Sequence, residues 1–531
     1  MDKKTVLVAD PISPVGIDNL LADPDLEVDV RIGISPEDLL ADAAQYDGII
    51  VRSQTKITAE VLEKAKRLQA VGRAGVGVDN IDIAAASDRG VVVMNTPSGN
   101  TISTAEHAFT LMMSLARRIP QAHASIVEGR WERKKFQGVE LYDKTLAILG
   151  MGRIGTEFAR RAMAFGMRVV AYDPYLSANR ARLLRVELSN TVEEAIREAD
   201  FITMHMPMTA ETQHMLNAER IKLLKPDCRI VNCARGGLID EQALLEALRE
   251  ERIGGVALDV FEVEPPAADY ELLQFPNVVF TPHLGASTDE AQENVGIEIA
   301  QTIASYLKDG TVVNSVNMPS IDEKTLGEIG PYLKLAESLG RLLSQTAPSH
   351  AEKLTITYAG KVSELETSLI SRAALSGFLQ KTFGKTGVNY INVPGLAKNL
   401  GLEVAESTAT NSSEYTEVIS LRVKGESLTR EVVGTLFAGV PRIVRLDGIP
   451  VEVKAEGHLL MLRNTDTPGM IATIGRILGD HQINIAHMFL SRETAGGQAL
   501  TVLSLDSRPE ESVLKELEDV SGIKGATAVD L

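Results

Sequence analysis

Thr145-Leu146-Ala147-Ile148-Leu149-Gly150-Met151-Gly152-Arg153-Ile154-Gly155 is the stretch that decides the fold. Five apolar or β-branched residues read as a buried strand, and they run straight into a Gly-x-Gly-x-x-Gly turn and an alanine-rich helical stretch. Strand, glycine turn and helix in this order build a dinucleotide crevice. Gly150 permits the tight turn and Gly152 lets a pyrophosphate approach backbone amides at the helix N-terminus. Gly155 lets helix and strand pack closely, and Arg153 and Ile154 complete the loop. Asp173 ends the next strand, 18 residues past Gly155. A carboxylate there bonds the adenosine ribose 2′-hydroxyl and repels a 2′-phosphate, so the crevice is expected to take NAD rather than NADP.

The same alternation of short β-branched runs and amphipathic helices extends on both sides of this stretch. Before it, Gly48 to Val51, Ala59 to Arg67 and Leu68 to Gly72 punctuate the chain as βαβ, which implies a parallel sheet. Thr101 to Arg118 carries Thr104, Ala105, Ala108, Leu111, Met112 and Leu115 at helical spacing, a long buried helix joining two lobes. After it, strands and helices continue to Val279, a helix spans Asp289 to Leu307 and ends at Gly310, and a short strand is expected around Val312. The chain thus leaves one α/β lobe, completes a second and returns. Asn317-Met318-Pro319-Ser320 reads as a linker.

Beyond it the pattern is mixed α+β, with strands at Lys353 to Tyr358, Glu417 to Val423 and Val451 to Lys454 and helices at Leu333 to Thr346 and Glu366 to Thr382. The last 75 residues read βαββαβ, a ferredoxin-like sandwich, with Thr467-Pro468 as N-cap and first helical residue. The expected division is 1–98 and 285–318 for a substrate-binding domain and 99–284 for an NAD-binding domain. An intervening α+β domain takes 319–456 and a regulatory domain 457–531.

Composition narrows the function classes. With 531 residues the chain is long enough for three or four domains, and 44% apolar and 24% charged residues are globular usage. Fifty-four basic against 72 acidic residues give a net charge of −18, which repels a phosphate backbone and argues against nucleic-acid binding. Cys228 and Cys233 are the only two cysteines, too few to staple a chain of this size. No run reaches membrane-spanning length, and the strand Thr5 to Ala9 leaves no room for a signal peptide, so a reduced, cytoplasmic protein is expected. No metal-ligand pattern is present.

Two glycine motifs outside the fingerprint carry different readings. Gly75-Val76-Gly77 follows a strand but lacks a third glycine on time, and suits a backbone nest for a substrate carboxylate. Gly384-Lys385-Thr386 is no phosphate loop, because the position that needs glycine holds Leu379.

Three motifs fall where strands of the second block end: Asn232-Cys233-Ala234-Arg235-Gly236-Gly237, Asp259-Val260-Phe261-Glu262-Val263-Glu264-Pro265 and Pro282-His283-Leu284-Gly285-Ala286. That rim is where open parallel sheets bind ligands. An arginine clamps a carboxylate bidentately, a histidine exchanges a proton with a carbinol, and a carboxylate on the other ring nitrogen fixes its tautomer.

The glycine fingerprint, Ala-Arg-Gly-Gly, Asp-Val-Phe-Glu-x-Glu-Pro and Pro-His-Leu-Gly-Ala, in this order, resemble the D-isomer-specific 2-hydroxyacid dehydrogenases. Val51 to Lys56, Gly72 to Asn80 and Trp131 to Phe136 resemble the branch of that family that acts on D-3-phosphoglycerate, over roughly residues 1–318. The remainder resembles its long form, with an intervening domain and a C-terminal ACT domain. The resemblance implies NAD-dependent oxidation of D-3-phosphoglycerate to 3-phosphohydroxypyruvate, the entry step of L-serine biosynthesis, by a cytoplasmic homotetramer.

It also implies roles residue by residue. Arg235 holds the substrate carboxylate and hydroxyl oxygen, His283 is the acid/base and Glu264 supports it. Arg52, Arg73 and Arg133 take the phosphate, Ser53 also binds the substrate, and Asn100 and the Val76 and Gly77 amides lie near the other end of the substrate. The cofactor is contacted by the fingerprint loop, Asp173, Met206, Pro207, Cys233, Ala234, Asp259, Gly285 and Ala286. Met206 departs from the smaller or polar residue usual before that proline. In the ACT domain, Asn464, Asp466 and Asn484 would hold an L-serine effector, although a histidine often found at position 464 is absent. The alternatives are another D-2-hydroxyacid dehydrogenase, such as a hydroxypyruvate or glyoxylate reductase, or an amino-acid-responsive regulatory protein.

Overall fold

The computed structural model describes residues 3–531 except 320–322, 348–349, 386, 410–414, 427 and 493. Ser320 of the linker and Thr386 of the rejected glycine motif therefore lie outside the described residues. Four sheets follow one another along the chain. The first is wholly parallel, in the spatial order Leu26–Val30, Lys4–Val8, Gly48–Val51, Ala70–Arg73, Val92–Met94. The second is also parallel and has seven strands, ordered Val278–Phe280, Gly255–Leu258, Arg229–Asn232, Phe201–Met204, Thr145–Leu149, Arg168–Tyr172, Glu187–Leu188. Its central strands are buried on both faces, which is why they read as unbroken apolar runs.

Two helices tie these lobes together. Thr101–Arg117 buries Thr104, Ala105, Ala108, Phe109, Leu111, Met112, Leu115 and Ala116, and ends at Arg118 in the left-handed region. Asp289–Asp309 starts at a Thr288 cap and ends at Gly310, at φ 77°. Its Val295, Ile299 and Ile303 pack with Val6, Val8 and Ile50 of the first sheet. A Cβ at Gly72 would lie 2.7 Å from Ile303, so that helix sits directly on the strand. The chain does return to its first lobe. Around Val312 there is no strand; a single bridge between Met94 and Ser315 replaces it, since one short segment at the sheet edge makes only isolated pairing.

The third sheet has six strands, ordered Glu403–Ala409, Ala351–Gly360, Glu417–Gly425, Thr429–Phe437, Val440–Leu446, Ile449–Lys454, with helices Glu323–Thr346 and Thr367–Phe383 closing its core. The fourth has the order Ile485–Arg492, Gln498–Leu505, His458–Thr465, Ile523–Asp530, the antiparallel ferredoxin-like arrangement. Its first helix, Met470–Asp480, starts later than expected. Gly469 at φ 93° is the N-cap, and Thr467-Pro468 belong to the preceding turn. Among the described residues, no helix is long and apolar enough to cross a membrane.

Candidate active site

The fingerprint loop explains its glycines by contact. Gly150 has φ 97°, and a Cβ there would come within 2.5 Å of the His205 carbonyl oxygen. A Cβ at Gly155 would come within 2.1 Å of the Gly150 carbonyl. At Gly152, by contrast, it would meet nothing within 4 Å, which leaves open space beside the N-terminus of helix Arg153–Ala164. Asp173 Oδ2 accepts the Met151 N–H at 2.8 Å and Oδ1 the Tyr175 N–H at 2.8 Å, fixing the carboxylate against the glycine turn. An open amide-lined helix start beside a held carboxylate fits an adenine dinucleotide without a 2′-phosphate. Ile154 lies in the first turn of the same helix.

Around this crevice, Met206 packs partly buried on the core of the second lobe, with Pro207 after it. His205 is half-buried, burial of its ring pushes its pKa down to about 3, and among the described residues its buried Nδ1 has no partner. Asn232 Oδ1 accepts the Ala234 N–H at 3.0 Å and its Nδ2 donates to the Arg235 carbonyl at 2.9 Å, which shapes the turn carrying Cys233 and Ala234. Burial pushes the Cys233 thiol well up, so it is a packing residue rather than a nucleophile.

His283 and Glu264 meet: Nδ1 lies 2.8 Å from Oε2. Both remain partly exposed, at 52% and 38% of the side chain, so the far ring nitrogen is free to face a substrate. Glu264 Oε1 accepts the Phe261 N–H at 3.1 Å, which fixes the carboxylate. His283 itself has φ 56°, held by its N–H bonds to the Asp259 and Thr281 carbonyls. Asp259 is fully buried and accepts the Leu284 and Gly285 N–H groups at 2.8 and 2.9 Å. Burial opposes its charge, but hydrogen bonds from His107, Thr281 and Leu284 outweigh that and hold it below the usual aspartate range. Ala286 follows on this loop, its carbonyl accepting from Gln292.

Arg235 lies between the two lobes. Its Nε is 3.2 Å from Asp79 of the first lobe, and a Cβ at Gly77 would fall 1.7 Å from its Nη2, so the guanidinium lies directly against the Gly77 backbone. Gly236 packs against the Phe261 carbonyl, which brings the Arg235 and Glu264 loops together. Arg52 follows strand Gly48–Val51, and Arg73 ends the neighbouring strand, with Val51 opposite Arg73 in register. The Arg73 Nε donates to the Arg52 carbonyl at 3.1 Å. Burial, helped by repulsion from Arg235 and Arg52, pushes the Arg73 pKa down to about 10, and burial also lowers that of Arg52. Crowded guanidinium groups with reduced solvation make a place for an anion.

Ser53 is exposed on the same loop, and the Val76 carbonyl accepts from Asn95. Asn100 precedes helix Thr101–Arg117, and its Oδ1 is buried without a partner. Arg133 is exposed in the short helix Arg133–Phe136.

Several residues of this site were not read from the sequence. Asp10 is fully buried and accepts the Arg52, Gln54 and Thr55 N–H groups and the Thr55 hydroxyl, while Asn80 donates to the Arg52 and Thr55 carbonyls. An acid directly after the apolar run Thr5 to Ala9 was the available signal. For His107 the signal was a polar residue on the buried stripe of its helix, one turn from Thr104.

In the fourth sheet's domain the effector candidates are engaged locally. Asn464 is buried and accepts the Thr501 hydroxyl at 2.9 Å, Asp466 pairs with Arg492, and the Asn484 Nδ2 donates to Asp506 at 2.9 Å. Only Asn484 is exposed.

Comparison with known proteins adds identity to this geometry. Residues 109–285 match the model of the D-isomer specific 2-hydroxyacid dehydrogenase NAD binding domain, 328–447 the D-3-phosphoglycerate dehydrogenase intervening domain, and 458–522 the ACT domain. The chain is 44% identical over 527 residues to D-3-phosphoglycerate dehydrogenase of Bacillus subtilis, covering 99% of each. It is 42% identical over 526 residues to that of Methanocaldococcus jannaschii, again covering 99% of each. Among solved structures, D-lactate dehydrogenase from Aquifex aeolicus complexed with NAD and lactic acid is similar at a TM-score of 0.54 and 28% identity, over 60% of this chain and all of that one. A two-lobed NAD dehydrogenase body followed by these two further domains, alike from end to end with these relatives, means that the chain belongs to the D-3-phosphoglycerate dehydrogenase family of D-isomer-specific 2-hydroxyacid dehydrogenases.

Proposed function

We propose that the chain oxidises D-3-phosphoglycerate to 3-phosphohydroxypyruvate with NAD, the first step of L-serine biosynthesis. The observation that carries this reading is that Arg52, Arg73 and Arg235 come together between the lobes, while the loop that follows Arg235 packs against the loop that carries Glu264, the partner of His283.

Arg235 and the Val76 and Gly77 amides hold the substrate carboxylate and C2 oxygen. Arg52 and Arg73, with Ser53 and Arg133, take the phosphate at the other end, and Asn100 lies beside the bound substrate. Because Glu264 occupies Nδ1, His283 takes the C2 hydroxyl proton at Nε2, and the fixed carboxylate stabilises the imidazolium that forms. Gly150, Gly152, Arg153, Ile154 and Gly155, with Asp173, would hold the dinucleotide, and Met206, Pro207, Cys233, Ala234, Asp259, Gly285 and Ala286 line its nicotinamide half. When bound, NAD supplies the acceptor for the C2 hydride. Steady-state assay with NAD and D-3-phosphoglycerate tests the reading.

L-serine is the effector we assign to residues 457–531, through Asp466 for the ammonium and Asn464 and Asn484 for hydrogen bonds. Asn464, Asp466 and Asn484 would each have to exchange the partners they hold here for the ligand, and Asn464 would also have to leave the buried interior. A homotetramer in the cytoplasm completes the reading; light scattering on the purified chain measures the first. Two free, buried cysteines suit a reducing compartment.

A further inference from the structure

Three residues on one face of the lobe-joining helix grip the loop that carries His283. The Ser103 and Thr104 hydroxyls donate to the Gly285 carbonyl at 3.0 and 3.1 Å. One turn on, His107 Nε2 lies 3.1 Å from Asp259 Oδ1 and 3.0 Å from Thr281 Oγ1. Thr281 in turn donates to the same Asp259 oxygen at 2.5 Å. A carboxylate only accepts, so the His107 proton sits on Nε2.

Asp259 thereby ties together His107, Thr281, which precedes His283, and the amides of Leu284 and Gly285, which follow it. His283 is held at φ 56°, a conformation that costs a non-glycine residue energy and persists only where its surroundings enforce it. A non-glycine residue released from such bonds relaxes towards negative φ.

We propose that His107 is a positioning residue for the reaction: through Asp259 and Thr281 it locks the 281–285 turn in the conformation that brings His283 onto Glu264. Since His107 sits on the helix that joins the lobes, the same bond makes the placement of the acid/base depend on the position of that helix. The proposal rests on the dehydrogenase reading above for its kinetic consequence, but the clamp itself is a property of the free chain.

The test compares His107→Ala with His107→Gln, whose side-chain amide nitrogen falls where imidazole Nε2 lies. In His107→Ala, kcat should fall about 10- to 100-fold, the usual effect of a misplaced reacting group, while KM for 3-phosphoglycerate, whose arginines lie outside the clamp, moves less than about threefold. His107→Gln should recover kcat to within about threefold of wild type. Hydrogen–deuterium exchange of a peptide covering residues 281–286, measured without substrate, should rise in His107→Ala and not in His107→Gln. Unchanged kcat and exchange in His107→Ala would overturn the proposal. So would equal damage in both variants with unchanged exchange, which marks mere packing. If wild type fails to oxidise 3-phosphoglycerate, the functional reading fails, and the exchange comparison still decides the clamp.

Discussion

His283 Nδ1 stands 2.8 Å from Glu264 Oε2, although the two residues come from loops that follow different strands of the second sheet. That contact assigns the remaining ring nitrogen to the substrate. His283→Ala should lower turnover by about two to four orders of magnitude, the worth of a positioned general base. NADH affinity, measured by fluorescence titration, should stay within about threefold, because the fingerprint loop lies on another part of the rim. Near wild-type turnover would remove His283 from the proton transfer.

Asp173 is held by two backbone amides at the end of the strand beside the glycine turn. Asp173→Ala should weaken NAD and relax discrimination against NADP, since a hydroxyl partner and a repelling charge disappear together. The kcat/KM ratio of the two cofactors measures this. A wild type that already prefers NADP would refute the assignment.

His205 makes the nucleotide lobe sensitive to acid. Its folded pKa of about 3 lies below the ordinary histidine value of 6.5, because burial disfavours its charged form. Above about pH 6.5 both folded and unfolded chains are neutral there and no penalty arises. Below it the unfolded chain takes up a proton that the folded chain refuses, so stability falls as pH drops, by at most about 1.4 kcal/mol per pH unit, and levels off below about 3. Thermal melting at pH 7 and pH 5 should show a smaller loss for His205→Gln than for wild type. Equal losses would mean that His205 is protonated in the fold.

If L-serine is the effector proposed above, inhibition should depend on the exposed Asn484 and on Asp466, whose carboxylate is held below its ordinary range by Arg492. L-serine should inhibit oxidation and give heat on calorimetric titration into the full chain, and Asn484→Ala should remove the inhibition. No heat and no inhibition at millimolar serine would leave residues 457–531 without this effector.

What was legible in the sequence was what is local. The fingerprint is a run of eleven residues whose glycines answer to contacts within the same turn or the next strand, so pattern and geometry coincide. The ferredoxin-like order was equally readable, because each strand and helix carries its own period. His107 and Asp259, by contrast, are 152 residues apart, and Asp10 and Thr55 are 45 apart. Each of those residues looks like an ordinary polar side chain until the sheets stack their strand ends together. In the intervening domain Glu403–Ala409 is an edge strand with polar residues on both faces, so neither alternation nor an apolar run marks it. Thr467-Pro468 had the right chemistry for a helix start, but Gly469 at φ 93° adds a turn before the helix begins.

The most direct test of the central claim sets D-3-phosphoglycerate against D-glycerate, the same hydroxy acid without its phosphate, for wild type, Arg52→Ala and Arg73→Ala with NAD. Wild type should prefer the phosphorylated substrate strongly in kcat/KM. Each variant should lose about 10- to 100-fold on 3-phosphoglycerate, about 1.4–2.8 kcal/mol of charge-assisted contact, and little on glycerate. A wild type that uses both acids equally, or variants that lose equally on both, would contradict a phosphate site built from Arg52 and Arg73.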